Sequence, residues 1–354
     1  MQPGYLPVLD GVRAVAVLCV LAYHGGLPVP GDLGVTVFFV LSGFLITRML
    51  LQEAKSGGRV DLPTFYLRRS LRIFPAYYAF LAVSFVWDQL AGAPWSPRLT
   101  VAALGYVMNY HTAFAGNVGG LAHTWSLAVE EQFYLCWPPA LVLLLGRGLD
   151  RAQVTVGAVI LSVAAWRSAL YLSGTVGTAY VYNAFDTRAD CLLIGCLLAL
   201  LLARQATAAR LAAWQPPAAL PLLTLGLLLL SRLGGGARYH YLVGFTVDAL
   251  LVGALLLQLL GRELPAGWGV LRSVPLRSVG RLSYSLYLWH LLGFGVGRHV
   301  PGPEWAQAGA GALAAFALAA GSYLMVERPM LRLKARLGRP LATVAVGPAP
   351  PGKL

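Results

Sequence analysis

Charged side chains are scarce in this sequence. Asp, Glu, Lys and Arg together make up 12% of its 354 residues, about half of the share found in soluble domains. Hydrophobic residues account for 58%, and they are gathered in runs long enough to cross a bilayer. An ordinary soluble domain is therefore excluded, and a polytopic integral membrane protein is indicated.

The motifs of metal, nucleotide and disulfide chemistry are also missing. No HExxH, P-loop or glycine-rich dinucleotide turn occurs, so metal-dependent or nucleotide-hydrolysing activity has no support. The four cysteines, all in apolar segments without CxxC or metal-ligand spacing, are Cys19, Cys136, Cys191 and Cys196. The basic residues that give the net charge of +13 lie between the apolar runs, without interleaved aromatic residues for base stacking. We therefore predict no metal site and no nucleic-acid partner.

Ten apolar segments have the length of a membrane span. They predict an all-α, polytopic bundle of about ten transmembrane helices surrounded by membrane lipid. Their ranges are 12–28, 34–51, 75–92, 125–145, 153–172, 187–204, 216–233, 242–260, 283–299 and 305–326. A further segment, 99–113, is short and polar, which favours an interfacial or re-entrant position.

The distribution of basic residues predicts the orientation of this bundle. With the N-terminus in the cytoplasm, the inside connections hold 18 Lys and Arg residues and the outside connections hold two, Arg98 and Arg238. Because basic residues favour the cytoplasmic side, we expect both termini to face the cytoplasm and the chain to cross the membrane many times. Residues 1–330 would form the membrane domain, and 331–354 a short basic cytoplasmic tail rich in Pro and Gly.

Ionisable side chains in the first predicted span mark candidate functional positions, because each is costly to insert into lipid. Arg13 and His24 are eleven residues apart and share a helix face, and Asp10 lies one turn before Arg13. A neutral imidazole inside the bilayer can take a proton from a hydroxyl, so His24 is a candidate general base. The alternative is a buried histidine paired with a backbone carbonyl.

A pair of arginines precedes the third predicted span. Arg69 and Arg72 stand at i and i+3, so they can face one way on a helical turn. Two guanidinium groups at a cytoplasmic membrane surface suit a polyphosphate ligand, because arginine binds phosphate through two parallel hydrogen bonds. Topological anchoring and contact with lipid headgroups are the alternative.

Two carboxylates enter the fourth predicted span together. Glu130 and Glu131 are adjacent, and a carboxylate pair in this position needs a proton or a partner cation. Arg13 or His24 would serve as that cation. The alternative places one of the two glutamates in the headgroup region.

Later spans carry further polar positions. Arg188 and Asp190 open the sixth span, where they could form a mutual ion pair. Ser283, Tyr287 and His290 follow helical spacing and predict a polar stripe on the ninth span.

Two other positions favour a structural interpretation. Glu327 follows the last span directly and is more typical of a helix stop with interfacial charge. The Ser42-Gly43 pair lacks a GxSxG frame, so close packing between helices is favoured over a nucleophilic role.

Taken in order, these segments resemble acyltransferase family 3, the bacterial membrane O-acyltransferases that modify surface polysaccharides and some small molecules. The resemblance covers about residues 5 to 330. Its pieces are LDGVRAVAVLCVLAYH, GVTVFFVLSGFLIT, FYLRRSLRIFPAYY, HTWSLAVEEQFYLCWP, TRADCLLIG, SYSLYLWH and VERP. Each piece alone is weak, whereas the ordered set is specific.

The resemblance implies an acyl donor, usually acetyl-CoA, and a sugar or other hydroxyl-bearing acceptor. In this hypothesis Arg69 and Arg72 bind the coenzyme A phosphates. His24 acts as the general base or, as a less favoured alternative, carries the acyl group, while Arg13 and Glu130 stabilise charge around it. The family's Trp-Ser-Leu…Glu motif matches Trp125, Ser126 and Glu130.

Some members of this family fuse a periplasmic hydrolase-like domain to their C-terminus. This sequence ends soon after its last predicted span, so we expect any such help to come in trans, or the acceptor to be reached without it. A transporter or flippase for a glycan or small anion is the competing class, because spans and intramembrane charges alone would suit one. The ordered motifs and the arginine pair favour the enzyme, while the acceptor and the acyl chain length stay open.

Overall fold

The computed structural model describes residues 5–92, 96–116, 119–261 and 263–337, and these form α-helices, short 3₁₀ and π turns, and no β-strand. The first half of the described chain contains α1 Pro7–His24, α2 Gly31–Gly57, α3 Leu62–Leu90, α4 Pro97–Leu104, α5 Met108–Ala115, α6 Trp125–Leu145, α7 Leu149–Ser173 and α8 Thr178–Asn183. The second half contains α9 Phe185–Leu202, α10 Gln205–Ala213, α11 Ala219–Gly234, α12 Gly236–Tyr239, α13 Phe245–Leu259, α14 Val274–Gly297, α15 Glu304–Ser322 and α16 Arg328–Leu337. The predicted all-α class is confirmed.

Each of the ten predicted segments falls largely on helix, but fewer stretches have the length and apolarity of a span. Within the described residues these are Pro7–His24, Gly31–Gly57, Leu62–Leu90, Leu149–Ser173, Gly236–Leu259 and Glu304–Ala335. Thr178–Leu202 and Gln205–Ala213 pass the same criteria only as a pair that is bent by 91°, which is either a broken span or a re-entrant loop. The helices α6 and α14 are long enough but carry many polar side chains. The ten-span count and the cytoplasmic termini therefore stay predictions.

The polar segment 99–113 is not a single helix. It folds into α4 and α5, of eight residues each, and eight residues extend only about 12 Å along a helix. Tyr106, with a φ of 53°, lies in the turn between them. Tyr77 Oη on α3 donates to Ala103 O at 2.8 Å, which holds α4 against the bundle. A 3₁₀ turn at Gly119–Thr124 then leads into α6.

Glycines allow the central helices to approach closely. A Cβ atom added at Gly43 of α2 would lie 1.9 Å from Leu192 O, and one added at Gly195 of α9 would lie 2.0 Å from Val40 O. Small residues at such crossings let two backbones come together in a membrane bundle. The predicted packing role of Gly43 is thus confirmed.

Replacing Gly43 with Ala should destabilise the protein by about 1–3 kcal/mol, because the new methyl group forces α2 and α9 apart. Gly157→Ala on α7 is the matched control, since no atom lies within 4 Å of its added Cβ. That control should be neutral or slightly stabilising, because alanine favours helix over glycine. Thermal unfolding in detergent measures both, and equal midpoints for the two variants would contradict the packing.

Candidate active site

A cavity lies between α1, α2, α3, α6 and α14. We call it the arginine cavity, because Arg13, Arg69 and Arg72 line it. Its other polar lining residues are Ser42, Ser126, Glu130, Tyr134, Ser283, Tyr284 and Tyr287. Three guanidinium groups around a single lining carboxylate give the cavity a positive potential, which favours an anionic ligand.

Arg69 is fixed by two residues of α6. Its Nη2 donates to Glu131 Oε1 at 3.0 Å, and its guanidinium carbon lies 3.3 Å from the centre of the Tyr134 ring. An arginine that stacks on an aromatic ring and binds a carboxylate is held in one orientation. The sequence predicted a partner cation from the first span, Arg13 or His24. For Glu131 that prediction is wrong, because α3 brings Arg69 beside α6.

Glu130 contacts hydroxyl groups instead of a cation. Ser42 Oγ donates to Glu130 Oε1 at 2.9 Å, and Tyr134 Oη donates to Glu130 Oε2 at 3.3 Å. Ser42 therefore lines the cavity, although the sequence assigned Ser42-Gly43 to helix packing alone. No local motif marks this serine, so only the position of α6 against α2 reveals it.

Arg13 belongs to the arginine cavity and does not adjoin His24. Its Nε and Nη2 donate to Ser283 Oγ on α14, at 3.1 and 2.9 Å. Eleven residues correspond to about 16 Å along α1, and His24 lines a different cavity. Asp10 accepts a hydrogen bond from Tyr5 Oη at 2.5 Å and lines neither cavity.

A second cavity lies at the far end of α1. We call it the histidine cavity, because His24 and His123 line it. Its other polar or aromatic lining residues are Tyr23, Asp32, Thr112, Trp125, Thr178, Tyr182, Asn183, Tyr241 and Tyr287. Hydroxyl, amide, carboxylate and aromatic groups together suit a ligand rich in hydroxyl groups.

His24 is the last residue of α1, and its side chain is exposed. The sequence placed it deep within a span that runs to residue 28. Instead Gly26 has a φ of 89°, a left-handed conformation that ends the helix. The Nδ1 atom of His24 lies 2.9 Å from Val20 O, so Nδ1 carries the proton and Nε2 is left free to accept one. A backbone carbonyl thus binds the imidazole without burying it.

His24 faces a second imidazole on α14. The ring centres of His24 and His290 are 4.8 Å apart, and His123 lies 5.0 Å beyond His290. His290 is buried, and its Nδ1 lies 2.7 Å from Tyr287 O. The predicted polar stripe of α14 therefore divides, with Ser283 in the arginine cavity and His290 behind the histidine cavity.

The two cavities meet at Val35 and Tyr287, which line both. The helix α6 begins at this level, with Trp125 in the histidine cavity and Ser126 in the arginine cavity. Tyr287 Oη lies 2.6 Å from Ser126 Oγ and donates to His123 O at 3.0 Å. We call Val35, Trp125, Ser126 and Tyr287 the partition.

The family model described as an acyltransferase domain matches residues 6–325. The chain belongs to this acyltransferase family. Over 310 residues it is 32% identical to the peptidoglycan O-acetyltransferase OatA of Listeria monocytogenes, a match that covers 81% of the chain and 49% of that protein. No solved structure matches the chain.

Two other relatives are also named O-acetyltransferases. The putative peptidoglycan O-acetyltransferase YrhL of Bacillus subtilis is 32% identical over 309 residues, which are 81% of the chain and 48% of that protein. The O-acetyltransferase OatA of Staphylococcus aureus is 30% identical over 325 residues, which are 82% of the chain and 50% of that protein. The chain thus spans about half the length of these relatives.

The residues that carry the family motifs lie around both cavities. In the arginine cavity they are Arg13, Arg69, Arg72, Ser126 and Glu130. In the histidine cavity they are His24 and Trp125. The fold therefore brings together most of the site residues that the sequence predicted, although in two places and not one.

Arg188 and Asp190 do not pair with each other, contrary to the prediction. Asp190 Oδ2 accepts from Arg167 Nη1 at 2.8 Å, and both of these side chains are fully buried. Residues two apart do not face each other on a helix, and the guanidinium carbon of Arg188 lies 3.9 Å from the ring centre of Phe245. Arg167 lies inside the predicted span 153–172, where an arginine is itself a signal, but nothing in the sequence points to its partner 23 positions away.

Glu327 is buried within the helix bundle. The helical course continues through Tyr323–Glu327 into α16, so the predicted helix stop is wrong. The carboxylate is 7% exposed and accepts a hydrogen bond from Ser285 Oγ on α14. This contact fastens the C-terminal helices to the helix that carries Tyr287.

Replacing Asp190 with Ala should destabilise the protein by about 3–5 kcal/mol, because Arg167 would then be buried without a counter-charge. In a double-mutant cycle, Asp190→Ala and Arg167→Met should be strongly non-additive. The matched cycle with Arg188→Met should be close to additive. Unfolding in detergent measures both cycles, and coupling to Arg188 equal to that with Arg167 would contradict the assignment.

Proposed function

We propose that the protein is a membrane O-acyltransferase, which moves an acyl group, acetyl in the first instance, from acyl-CoA to a hydroxyl of a cell-surface glycan. The observation that carries the proposal is the pair of cavities that meet at Tyr287, one lined by arginines and the other by His24. An acyl donor that is anionic at one end needs positively charged side chains, whereas an acyl acceptor rich in hydroxyls needs neutral hydrogen-bonding groups. Two adjoining cavities of different chemistry meet both needs.

The arginine cavity is the proposed donor site. Coenzyme A carries several phosphate charges, and guanidinium groups bind phosphate by charge-assisted hydrogen bonds. Glu131 holds Arg69 in place. Arg72 lies one turn further along α3, so the two guanidinium groups can bind the same phosphate-bearing ligand. With its phosphates at these two residues, the pantetheine arm would extend past Arg13 towards the partition.

The histidine cavity is the proposed acceptor site. The Nε2 atom of His24 is the free nitrogen of its imidazole, so it is the atom that would take the proton of an acceptor hydroxyl. Asp32 and Asn183 also line this cavity and provide hydrogen-bond partners for the other hydroxyls of a sugar. The acceptor oxygen then attacks the thioester carbon, the carbon–sulfur bond breaks, and free coenzyme A leaves as the thiol.

The relatives support a glycan as the acceptor. They are named peptidoglycan O-acetyltransferases, and we extend this class of acceptor to the present chain, within a bacterial inner membrane.

Replacing His24 with Ala should lower turnover about 100-fold or more, because the acceptor hydroxyl loses its general base. His299→Ala is the matched control, since His299 Nδ1 also contacts a carbonyl four residues earlier, Gly295 O at 3.0 Å, but lines neither cavity. Thiol release from acetyl-CoA by the purified protein, with a glycan acceptor, measures the rate. Equal turnover in both variants would overturn the role of His24.

Replacing Arg72 with Ala should raise the KM for acetyl-CoA about tenfold or more and leave kcat less affected, because a hydrogen bond to a charged group contributes about 1.5–3 kcal/mol to binding. Arg59→Ala, an exposed arginine between α2 and α3, is the control. A KM that is unchanged by Arg72→Ala would contradict the donor site. If acetyl-CoA neither binds nor turns over in the wild type while a glycan crosses the vesicle membrane, the protein is a transporter instead.

A further inference from the structure

The partition between the two cavities contains a pair of buried hydroxyl groups whose role is unassigned. Tyr287 is 6% exposed and Ser126 is 4% exposed, and their oxygens are 2.6 Å apart. Ser126 lines the arginine cavity, and Tyr287 lines both cavities. A ligand that fills one cavity and a ligand that fills the other would therefore both reach Tyr287.

The hydrogen bonds of this pair can be arranged in two ways. The carbonyl of His123 lies 3.0 Å from Tyr287 Oη and 3.3 Å from Ser126 Oγ. Either Ser126 donates to Tyr287 and Tyr287 donates to the carbonyl, or Tyr287 donates to Ser126 and Ser126 donates to the carbonyl. In the second arrangement the carbonyl of His123 stays satisfied by Ser126. The tyrosine hydroxyl can then rotate and donate its hydrogen bond to an oxygen of a bound ligand. The buried carbonyl of His123 is not left unpaired by this change.

Acyl transfer requires a hydrogen-bond donor of this kind. When the acceptor oxygen attacks a thioester, negative charge develops on the carbonyl oxygen, and a fixed hydrogen-bond donor in a dry site stabilises that charge. The arginines bind the far end of the donor in the proposed function, and His24 lies in the other cavity. The carbonyl must therefore lie where the two cavities meet, which is at the partition.

We propose that the Tyr287–Ser126 pair holds the thioester carbonyl and that Tyr287 donates the hydrogen bond that stabilises its oxygen during transfer. This inference rests on the proposed function and adds the position of the reacting carbon and the group that binds its oxygen. In the step, the acceptor oxygen bonds to the acyl carbon and its proton passes to His24. The carbon–sulfur bond then breaks, and the proton leaves with the thiolate as free thiol. Tyr287 keeps its own proton throughout.

The backbone around Tyr287 favours this role. The carbonyl of Tyr287 accepts from His290 Nδ1 at 2.7 Å, and the ring of His290 faces that of His24. The same turn of α14 thus carries the tyrosine and the imidazole that faces the proposed base. The phenol itself is held by its hydrogen bonds to Ser126 Oγ and to the carbonyl of His123, so it loses little freedom when charge develops on the thioester oxygen.

The test compares Tyr287→Phe with Tyr77→Phe in the purified full-length protein. Tyr77 is also fully buried, and its Oη also donates to a backbone carbonyl, Ala103 O at 2.8 Å, but it lines neither cavity. We expect Tyr287→Phe to lower kcat for thiol release from acetyl-CoA about 100- to 1,000-fold, the usual effect of removing one oxyanion donor. Its KM for acetyl-CoA should stay within about twofold of wild type, because the arginines are untouched. Tyr77→Phe should keep kcat within about threefold.

Ser126→Ala supplies an independent measurement. Tyr287 and Ser126 act as one unit, so the double variant Tyr287→Phe/Ser126→Ala should be little slower than Tyr287→Phe alone. Wild-type turnover with equal kcat in Tyr287→Phe and Tyr77→Phe overturns the inference and leaves the proposed function standing. A wild type that binds acetyl-CoA but never releases thiol with any glycan acceptor overturns both.

Discussion

The contact between Arg69 and Glu131 is the interaction on which the rest of the site depends. It joins α3 to α6 at 3.0 Å, and Tyr134 stacks against the same guanidinium. A carboxylate in an apolar bundle needs a cation or a proton, so this pair fixes how far α6 enters the bundle. The start of α6 in turn places Ser126 beside Tyr287, and so determines where the two cavities meet.

The division into two cavities follows from the same geometry. The 3₁₀ turn at Gly119–Thr124 brings the chain into the bundle, so that α6 starts between α2 and α14 and separates the arginines from His24. The guanidinium groups lie on one side of this partition, and the imidazole and amide groups lie on the other. Under the proposed function, the thioester donor and the hydroxyl acceptor would then meet at the partition from opposite sides, each bound in its own cavity.

Local patterns in the sequence were sufficient for the helices and for the arginine pair. Apolar run length located the helical segments, and the i, i+3 spacing of Arg69 and Arg72 placed both in one cavity. The sequence did not predict the contacts between helices that are distant along the chain. These contacts join Arg167 to Asp190, Ser42 to Glu130, and Arg69 to Glu131. The exposure of His24 was missed for another reason, because the apolar run continues past the left-handed Gly26 that ends α1.

A structure of the protein with bound coenzyme A tests the central claim most directly, because it shows which cavity receives the donor and how far the pantetheine arm reaches. The account predicts phosphate groups within hydrogen-bond distance of Arg69 and Arg72, and a thiol that points to the Tyr287–Ser126 pair. Coenzyme A phosphates in the histidine cavity, or a thiol directed away from the partition, would contradict it.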